Sequence, residues 1–111
     1  MLRLAIIGTG LIAHDNYLGL VGTGKVKIIS LCNRTLHKGI EFADRYGLEC
    51  PVYTDYREMV EKEKPEIVLI NTPHDLHEEI FNYCADKKIN IIIEKPLSES
   101  FVSAQRILSS V

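Results

Sequence analysis

The strongest constraint on the fold is the alternation of short apolar runs with longer segments of helical periodicity. The runs are rich in Ile, Val and Leu, and most lack a strict apolar–polar alternation, which is typical of strands covered on both faces. They are Leu4–Ile7, Val26–Cys32, Ile67–Ile70 and Ile91–Ile93, with a weaker run near Pro51–Tyr53. This order predicts parallel strands joined by right-handed helical crossovers, which is an α/β fold with a doubly wound parallel sheet and helices on both faces.

The segments between the runs carry signals for the starts and ends of helices. Gly47 follows a segment of helical apolar spacing and is expected to end that helix. Asp55 with Glu58, and Asp75 with Glu78, resemble capping pairs that start the next two helices. A last helix is predicted from an apolar stripe formed by Phe101, Ala104, Leu108 and Val111. Helices are therefore expected to follow each of the main strands.

Length, charge and cysteine usage narrow the class of protein. The 111 residues fit one domain, residues 1–111, and an apolar fraction of 46% is ordinary for a soluble domain. A formal charge of −2 without a basic face gives no support to nucleic-acid binding or to an anionic membrane surface. No apolar run approaches the ~20 residues of a membrane-spanning helix. Cys32, Cys50 and Cys84 cannot all pair with one another, which favours reduced thiols and a cytoplasmic protein.

The first apolar run leads into a glycine-rich loop, Gly8-Thr9-Gly10-Leu11-Ile12-Ala13, which matches the pattern G-x-G-x-x-[G/A]. In a dinucleotide site the first glycine permits a tight turn, the second lets a pyrophosphate approach the backbone, and the small last residue lets the helix pack on the sheet. A plain strand-to-helix turn is the alternative, but the position after a strand and before a helix favours a nucleotide site. A second Gly-Thr-Gly, at 22–24, precedes a strand and is expected to be a loop that ends a helix.

The end of the second strand bears on the choice between NAD and NADP. NAD-binding sites usually have an acidic residue there, roughly 20 residues after the glycines, which holds the ribose hydroxyls. This chain has Asn33 and Arg34 instead. Arg34 would pair with a 2′-phosphate through its guanidinium group, with further contacts from Thr35 and Lys38. These residues favour NADP over NAD; the alternative is that Arg34 only stacks on the adenine, which would suit either nucleotide.

Two further motifs follow later strands. They are Asn71-Thr72-Pro73-His74-Asp75-Leu76-His77 after the fourth and Glu94-Lys95-Pro96-Leu97 after the fifth. Together with the glycine loop and Asn33-Arg34, they resemble the Gfo/Idh/MocA family, which includes glucose–fructose oxidoreductase and inositol dehydrogenase. The triplet Glu94-Lys95-Pro96 is the most specific piece, and the resemblance covers the chain from Leu2 to the last helix. It implies a Rossmann domain that binds NADP or NAD and belongs to an oxidoreductase.

The resemblance also implies roles for individual residues. The glycine loop would hold the pyrophosphate, and Asn33 and Arg34 the adenosine ribose. Thr72-Pro73 would line the cofactor cleft, and Glu94 would approach the nicotinamide ribose. Lys95 would be the catalytic residue, lying by the reacting carbon and helping to bind and polarise a substrate hydroxyl. The cofactor-binding residues implied are Gly8, Thr9, Gly10, Leu11, Ile12, Asn33, Arg34, Thr72, Pro73, His77, Glu94 and Lys95.

The family resemblance further implies a second, C-terminal α/β domain, which supplies substrate contacts, the oligomer interface and the usual acid–base residues. No such domain occurs in this sequence. The implied activity is hydride transfer between a nicotinamide and a sugar, polyol or related small molecule, in a protein that can form homo-oligomers. We expect the isolated chain to bind cofactor without turnover.

Other interpretations stay open. They are a nucleotide-sensing module, a subunit that complements a second chain, a truncated gene product, and a different Rossmann reductase of the homoserine or dihydrodipicolinate type. The triplet Glu94-Lys95-Pro96 argues against the last of these. His74 and His77 would supply only two of the three or four ligands that a zinc site needs, so no metal is predicted.

Overall fold

The strands of the sheet are β1 (Leu2–Ile7), β2 (Val26–Cys32), β3 (Val52–Tyr53), β4 (Ile67–Ile70) and β5 (Asn90–Ile93). The structure is a computed structural model and describes residues 1–9, 17–71 and 74–93, although not the side chains of residues 74–77 and 93. Within these residues the strands form one parallel sheet in the order β3-β2-β1-β4-β5. The chain therefore winds outwards from β1 in both directions, as predicted for a doubly wound sheet.

The described helices are α1 (residues 17–21), α2 (Leu36–Tyr46), α3 (Tyr56–Glu63) and α4 (His74–Asp86). As predicted, α2 ends at Gly47, which adopts the left-handed conformation and donates its N–H to the carbonyl oxygens of Ala43 and Asp44. None of the described helices is long and apolar enough to cross a membrane. The predicted helix at 101–111 lies outside the described residues.

The two predicted capping pairs have different outcomes. Asp55 caps α3, since its carboxylate accepts a hydrogen bond from the backbone N–H of Arg57 at 2.9 Å. The backbone of Asp75 does not lie at the N-cap position predicted for it, because α4 begins one residue earlier, at His74. Asp75 therefore lies within the first turn of α4. A capping residue type marks a helix start only to within a residue or two, because the backbone angles decide the boundary.

Each face of the sheet is covered by its own core. Successive residues of β1 point in opposite directions, so Leu4 and Ile6 enter one core while Ala5 and Ile7 enter the other, and all are at most 2% exposed. On the first face they pack with residues from α1 and α2, and on the second with residues from α3 and α4. This double coverage explains the lack of polar alternation in the apolar runs.

A surface network joins α3 to α4. Arg57 forms an ion pair with Glu79 at 2.8 Å, and the hydroxyl of Tyr56 donates to the same carboxylate at 3.0 Å. The rings of Tyr56 and Tyr83 meet edge to face with their centroids 5.5 Å apart. A single exposed ion pair contributes little, but linked aromatic and ionic contacts fix the relative position of two helices better. This network helps to hold α4, which starts at the carboxyl edge of the sheet.

Candidate functional site

The carboxyl ends of four strands lie level with one another. Ile7 pairs with Cys32 on one side and with Ile70 on the other, and Ile70 pairs with Ile93. These are the last residues of β1, β2, β4 and β5. The segments that follow them therefore leave the sheet along one edge, which is where ligands bind in open α/β sheets.

The residues that follow β1 and β4 extend the ladder by one step. The backbone N–H of Gly8 donates to the carbonyl oxygen of Cys32 at 2.8 Å. The backbone N–H of Asn71 donates to the carbonyl oxygen of Ile7, also at 2.8 Å. Gly8 has a φ of 93°, a backbone conformation that L side chains rarely adopt. The position where the sequence predicted a turn that needs glycine therefore has a backbone conformation that favours glycine.

Asn33 connects the segments after β1 and β2. Its Nδ2 donates to the hydroxyl oxygen of Thr9 at 2.6 Å, and its Oδ1 accepts from the backbone N–H of Thr35 at 2.8 Å. Thr9 is buried, whereas Asn33 is half-buried. An asparagine side chain has two N–H donors and an oxygen with two lone pairs, so one donor and one lone pair of Asn33 are left after these bonds. The group predicted to hold the adenosine ribose is thus already fixed in place by the protein.

The start of α2 carries positive charge next to this bridge. Arg34 and Lys38 are both exposed. Thr35 occupies the N-cap position of α2 but makes no side-chain capping bond. Asp55, which follows β3, uses its carboxylate to cap α3. The end of β2 therefore presents a neutral amide and two cationic side chains, where an NAD site usually has a carboxylate.

Gly39 contributes to the site, and the sequence analysis missed it. It is buried in α2, and a Cβ at this position would lie 2.5 Å from Cγ1 of Val52 and 3.6 Å from Cβ of Asn33. The bare backbone thus lets α2 approach β3 and the base of Asn33 closely. A signal was present, because glycine inside a helix costs about 1 kcal/mol relative to alanine and usually has a packing reason.

Cys32 is a buried thiol at the end of a strand. The residue is 3% exposed and ends β2. Burial, with a smaller contribution from the nearby Asp55, raises the pKa of the Cys32 thiol to about 12. Burial likewise raises the pKa of Cys84 to about 11. Both thiols are therefore protonated near neutral pH, and all three cysteines are free, as predicted.

A comparison with known protein families agrees with the fold described above. A model of Gfo/Idh/MocA, described as an oxidoreductase family with an NAD-binding Rossmann fold, matches residues 2–111. This chain belongs to the Gfo/Idh/MocA family. The resemblance predicted from the glycine loop and the later motifs is confirmed.

Individual Gfo/Idh/MocA relatives are dehydrogenases. The chain is 24% identical to the inositol 2-dehydrogenase of Salmonella typhimurium over 98% of its own length and 33% of that protein's. It is 26% identical to the solved myo-inositol 2-dehydrogenase of Lactobacillus plantarum, with a TM-score of 0.76, and covers 33% of that chain with 98% of its own. A levoglucosan dehydrogenase solved with NADH has 25% identity and a TM-score of 0.76, over 93% of this chain and 31% of that one. The chain thus spans about a third of the length of these relatives.

Several of the predicted Gfo/Idh/MocA site residues fall outside the described part of the chain. They are Gly10, Leu11, Ile12, Thr72, Pro73, Glu94 and Lys95, and for His77 only the backbone is described. Asn71 and Ile93, which come directly before Thr72 and Glu94, both lie at the carboxyl edge. Among the described side chains, no group of three or more His, Cys, Asp or Glu is arranged to hold a metal ion.

Proposed function

We propose that this chain is the NADP(H)-binding part of a dehydrogenase that acts on a sugar, a polyol or a related small molecule. The observation that carries the proposal is the level carboxyl edge of the sheet, where Gly8 turns at a φ of 93° and Asn33 and Arg34 stand at the end of β2. The names of the relatives, an inositol 2-dehydrogenase and a levoglucosan dehydrogenase, support the substrate class.

The residues at this edge fit a dinucleotide. The turn at Gly8 supports a loop that would hold the pyrophosphate through its backbone as far as Ile12, including Thr9, Gly10 and Leu11. Asn33 and Arg34 would bind the adenosine ribose. Thr72 and Pro73 would line the cleft beside His77. When bound, the nicotinamide supplies the hydride donor or acceptor.

The catalytic part of the proposal concerns Glu94 and Lys95. Glu94 would bind the ribose on the nicotinamide side. Lys95 would hold the substrate by its hydroxyl or carbonyl oxygen and polarise it. Both follow β5, whose last residue, Ile93, lies level with the ends of the neighbouring strands. This register supports their assignment to the same edge as Gly8.

The preference for NADP rests on charge. An acidic residue at the end of β2 would repel a 2′-phosphate, whereas Asn33 is neutral and the exposed Arg34 and Lys38 are cationic. A guanidinium group can donate two parallel hydrogen bonds to a phosphate. We therefore assign Arg34 the 2′-phosphate, with Lys38 contributing charge.

The same proposal covers partners and location. The partner of the whole protein would be a small-molecule substrate, with assembly into homo-oligomers, and a net charge of −2 gives no support to nucleic acid. The three free cysteines support a cytoplasmic location, where thiols stay reduced.

Calorimetric titration with NADPH and NADH tests the cofactor site. We expect NADPH to bind more tightly than NADH, and Arg34→Ala to weaken NADPH binding by about 10- to 100-fold, the range for hydrogen bonds to charged groups. Affinity for NADH should change little. The matched control is Arg45→Ala, because Arg45 is also exposed and lies at the other end of α2, against the ring of Tyr46.

Three results would contradict parts of this proposal. Equal binding of the two nucleotides, weakened alike by Arg34→Ala, would mean that Arg34 stacks on the adenine and that NADP is not preferred. A similar loss from Arg45→Ala would mean that general positive charge accounts for the effect. Absence of binding of either nucleotide to the folded chain would refute the nucleotide site as formed by this chain.

A further inference from the structure

The hydrogen bond between Asn33 and Thr9 joins two loops that the sheet brings together from positions 24 residues apart. We propose that this pair is a clasp that holds the loop after β1 and the loop after β2 as one unit, so that the pyrophosphate and adenosine ribose sites keep a fixed relative position. Beside its proposed contact with the adenosine ribose, Asn33 then also positions Thr9. The inference rests on the proposed nucleotide site and specifies how that site is built.

The direction of the hydrogen bond between Asn33 and Thr9 follows from the bond that Asn33 makes to Thr35. A backbone N–H can only donate, so the N–H of Thr35, 2.8 Å away, fixes the Oδ1 end of the Asn33 amide. The Nδ2 end must therefore face Thr9 and donate to its oxygen, 2.6 Å away. The hydroxyl hydrogen of Thr9 is not used in this bond, and the hydroxyl remains a donor at the carboxyl edge of the sheet.

The free hydroxyl hydrogen of Thr9 depends on the presence of an amide, and not a carboxylate, at position 33. A carboxylate only accepts hydrogen bonds, so an aspartate here would accept from Thr35 and also take the hydroxyl hydrogen of Thr9. Thr9 would then donate the hydrogen bond between the loops, and its hydroxyl hydrogen would no longer be available to the nucleotide. The neutral amide thus keeps the clasp closed while leaving the Thr9 hydroxyl able to donate to an oxygen of the nucleotide.

The surroundings make the clasp stiff. Thr9 is only 7% exposed, so water competes little for its oxygen. Beneath the clasp, Gly39 allows α2 to approach to within contact of Asn33, with 3.6 Å between the Asn33 Cβ and the position of a Cβ added at Gly39. Asn33 is thus packed against α2 and hydrogen-bonded to Thr9.

The first test replaces the acceptor without changing its shape. We expect Thr9→Val to weaken NADPH binding roughly tenfold, and Thr9→Ser, which keeps the hydroxyl, to restore most of the affinity. Titrations are made well below the unfolding temperature of each variant, so that the unfolded fraction does not contribute. The matched control is Thr23→Val, because the Thr23 hydroxyl is also hydrogen-bonded, but only to Leu20 and Lys25, which are its neighbours in the chain. Thr23→Val should leave the affinity for NADPH unchanged.

A second measurement tests the clasp without a nucleotide. Thr9→Val, Asn33→Ala and the double variant are compared by their unfolding midpoints in urea. If the clasp exists, the double variant should be little less stable than the less stable single variant, because both substitutions remove the same bond. Additive losses, or failure of Thr9→Ser to restore NADPH affinity, would overturn the clasp. If the folded wild-type chain binds neither nucleotide while the losses are non-additive, the proposed function fails and the clasp stands.

Discussion

The chain contains the tripeptide Gly-Thr-Gly twice, at residues 8–10 and 22–24. Gly8 and Thr9 of the first copy lie at one edge of the sheet, and the second copy lies at the opposite edge. The first copy follows β1 at the carboxyl edge, and its threonine accepts a hydrogen bond from Asn33, 24 residues away. The second copy precedes β2 at the amino edge. Its threonine, Thr23, donates to the carbonyl of Leu20 at 2.7 Å and accepts from the backbone N–H of Lys25 at 3.1 Å.

This difference shows that strand direction, and not the tripeptide, decides the role. At the amino edge the second copy ends α1, since Gly22 donates to the carbonyl of Leu18 and Gly24 to that of Val21, each at 3.1 Å. This confirms the predicted loop that ends a helix. At the carboxyl edge the chain leaves several strands side by side, so the threonine of the first copy meets a residue from another strand end.

Replacing one glycine in each copy gives the largest expected contrast. Gly8→Ala should lower the free energy of unfolding by about 1–3 kcal/mol, because a φ of 93° is strained for alanine, and should strongly weaken NADPH binding. Gly22→Ala should change stability by less than about 0.5 kcal/mol, since a Cβ there would meet the carbonyl oxygen of Leu18 at an acceptable 3.4 Å. Urea unfolding and calorimetry measure the two effects. Equal losses from both substitutions would remove the distinction between the copies.

The rate at which a thiol reagent labels Cys32 gives a second comparison of the two Gly-Thr-Gly copies. The carbonyl oxygen of Cys32 accepts a hydrogen bond from the backbone N–H of Gly8, so the start of the first copy lies beside this buried residue. At about pH 8 the half-buried Cys50 should react first and Cys32 slowly, because only the thiolate is reactive. Thr9→Val should speed labelling of Cys32 roughly tenfold by loosening the first copy, whereas Thr23→Val should not. Mass spectrometry of peptides identifies the labelled residue, and equal acceleration by both variants would contradict the prediction.

The ionisation of Cys32 predicts how the free energy of unfolding changes with pH. The pKa of Cys32 is raised from 9.0 to about 12 on folding, so the folded state holds this proton more tightly. Its contribution to stability is fully present below pH 9.0 and is lost as the pH rises through about 12. The free energy of unfolding should therefore fall less steeply over this range in Cys32→Ala than in the wild type. Parallel slopes would mean that Cys32 does not titrate with unfolding.

The smallest expected effects on stability concern two residues in the left-handed conformation, Gly24 and Lys88. Gly24 has a φ of 69° and no atom within 4 Å of an added Cβ, so Gly24→Ala should cost about 1 kcal/mol for conformational reasons alone. Lys88, which follows α4 with a φ of 60°, offers the reverse experiment. Lys88→Gly should raise the free energy of unfolding by about 0.5–1 kcal/mol in urea titrations. A loss of stability in Lys88→Gly would show that its side chain contributes more than the strain costs.

Much of the fold could be predicted from local patterns. The bounds of β2 and β4 agree with their apolar runs, and the end of α2 at Gly47 was predicted from a single glycine. The predicted start of β1 was two residues late, because the exposed Arg3 interrupts the apolar pattern while the backbone N–H of Leu2 still bonds to Lys25. Pairing with a neighbouring strand extends a strand beyond the residues whose side chains are buried.

The sequence by itself determined the order of strands and helices, the glycine conformation at Gly8 and the absence of an acidic residue after β2. These follow from the backbone preferences of single residues and from the period of the apolar pattern, both of which act over a few residues. Only the tertiary structure decided that Asn33 bonds to Thr9, that Gly39 admits Val52 and that Cys32 has a pKa of about 12. Each of these depends on the register and packing of segments far apart in the chain, which exist only once the parallel sheet has formed.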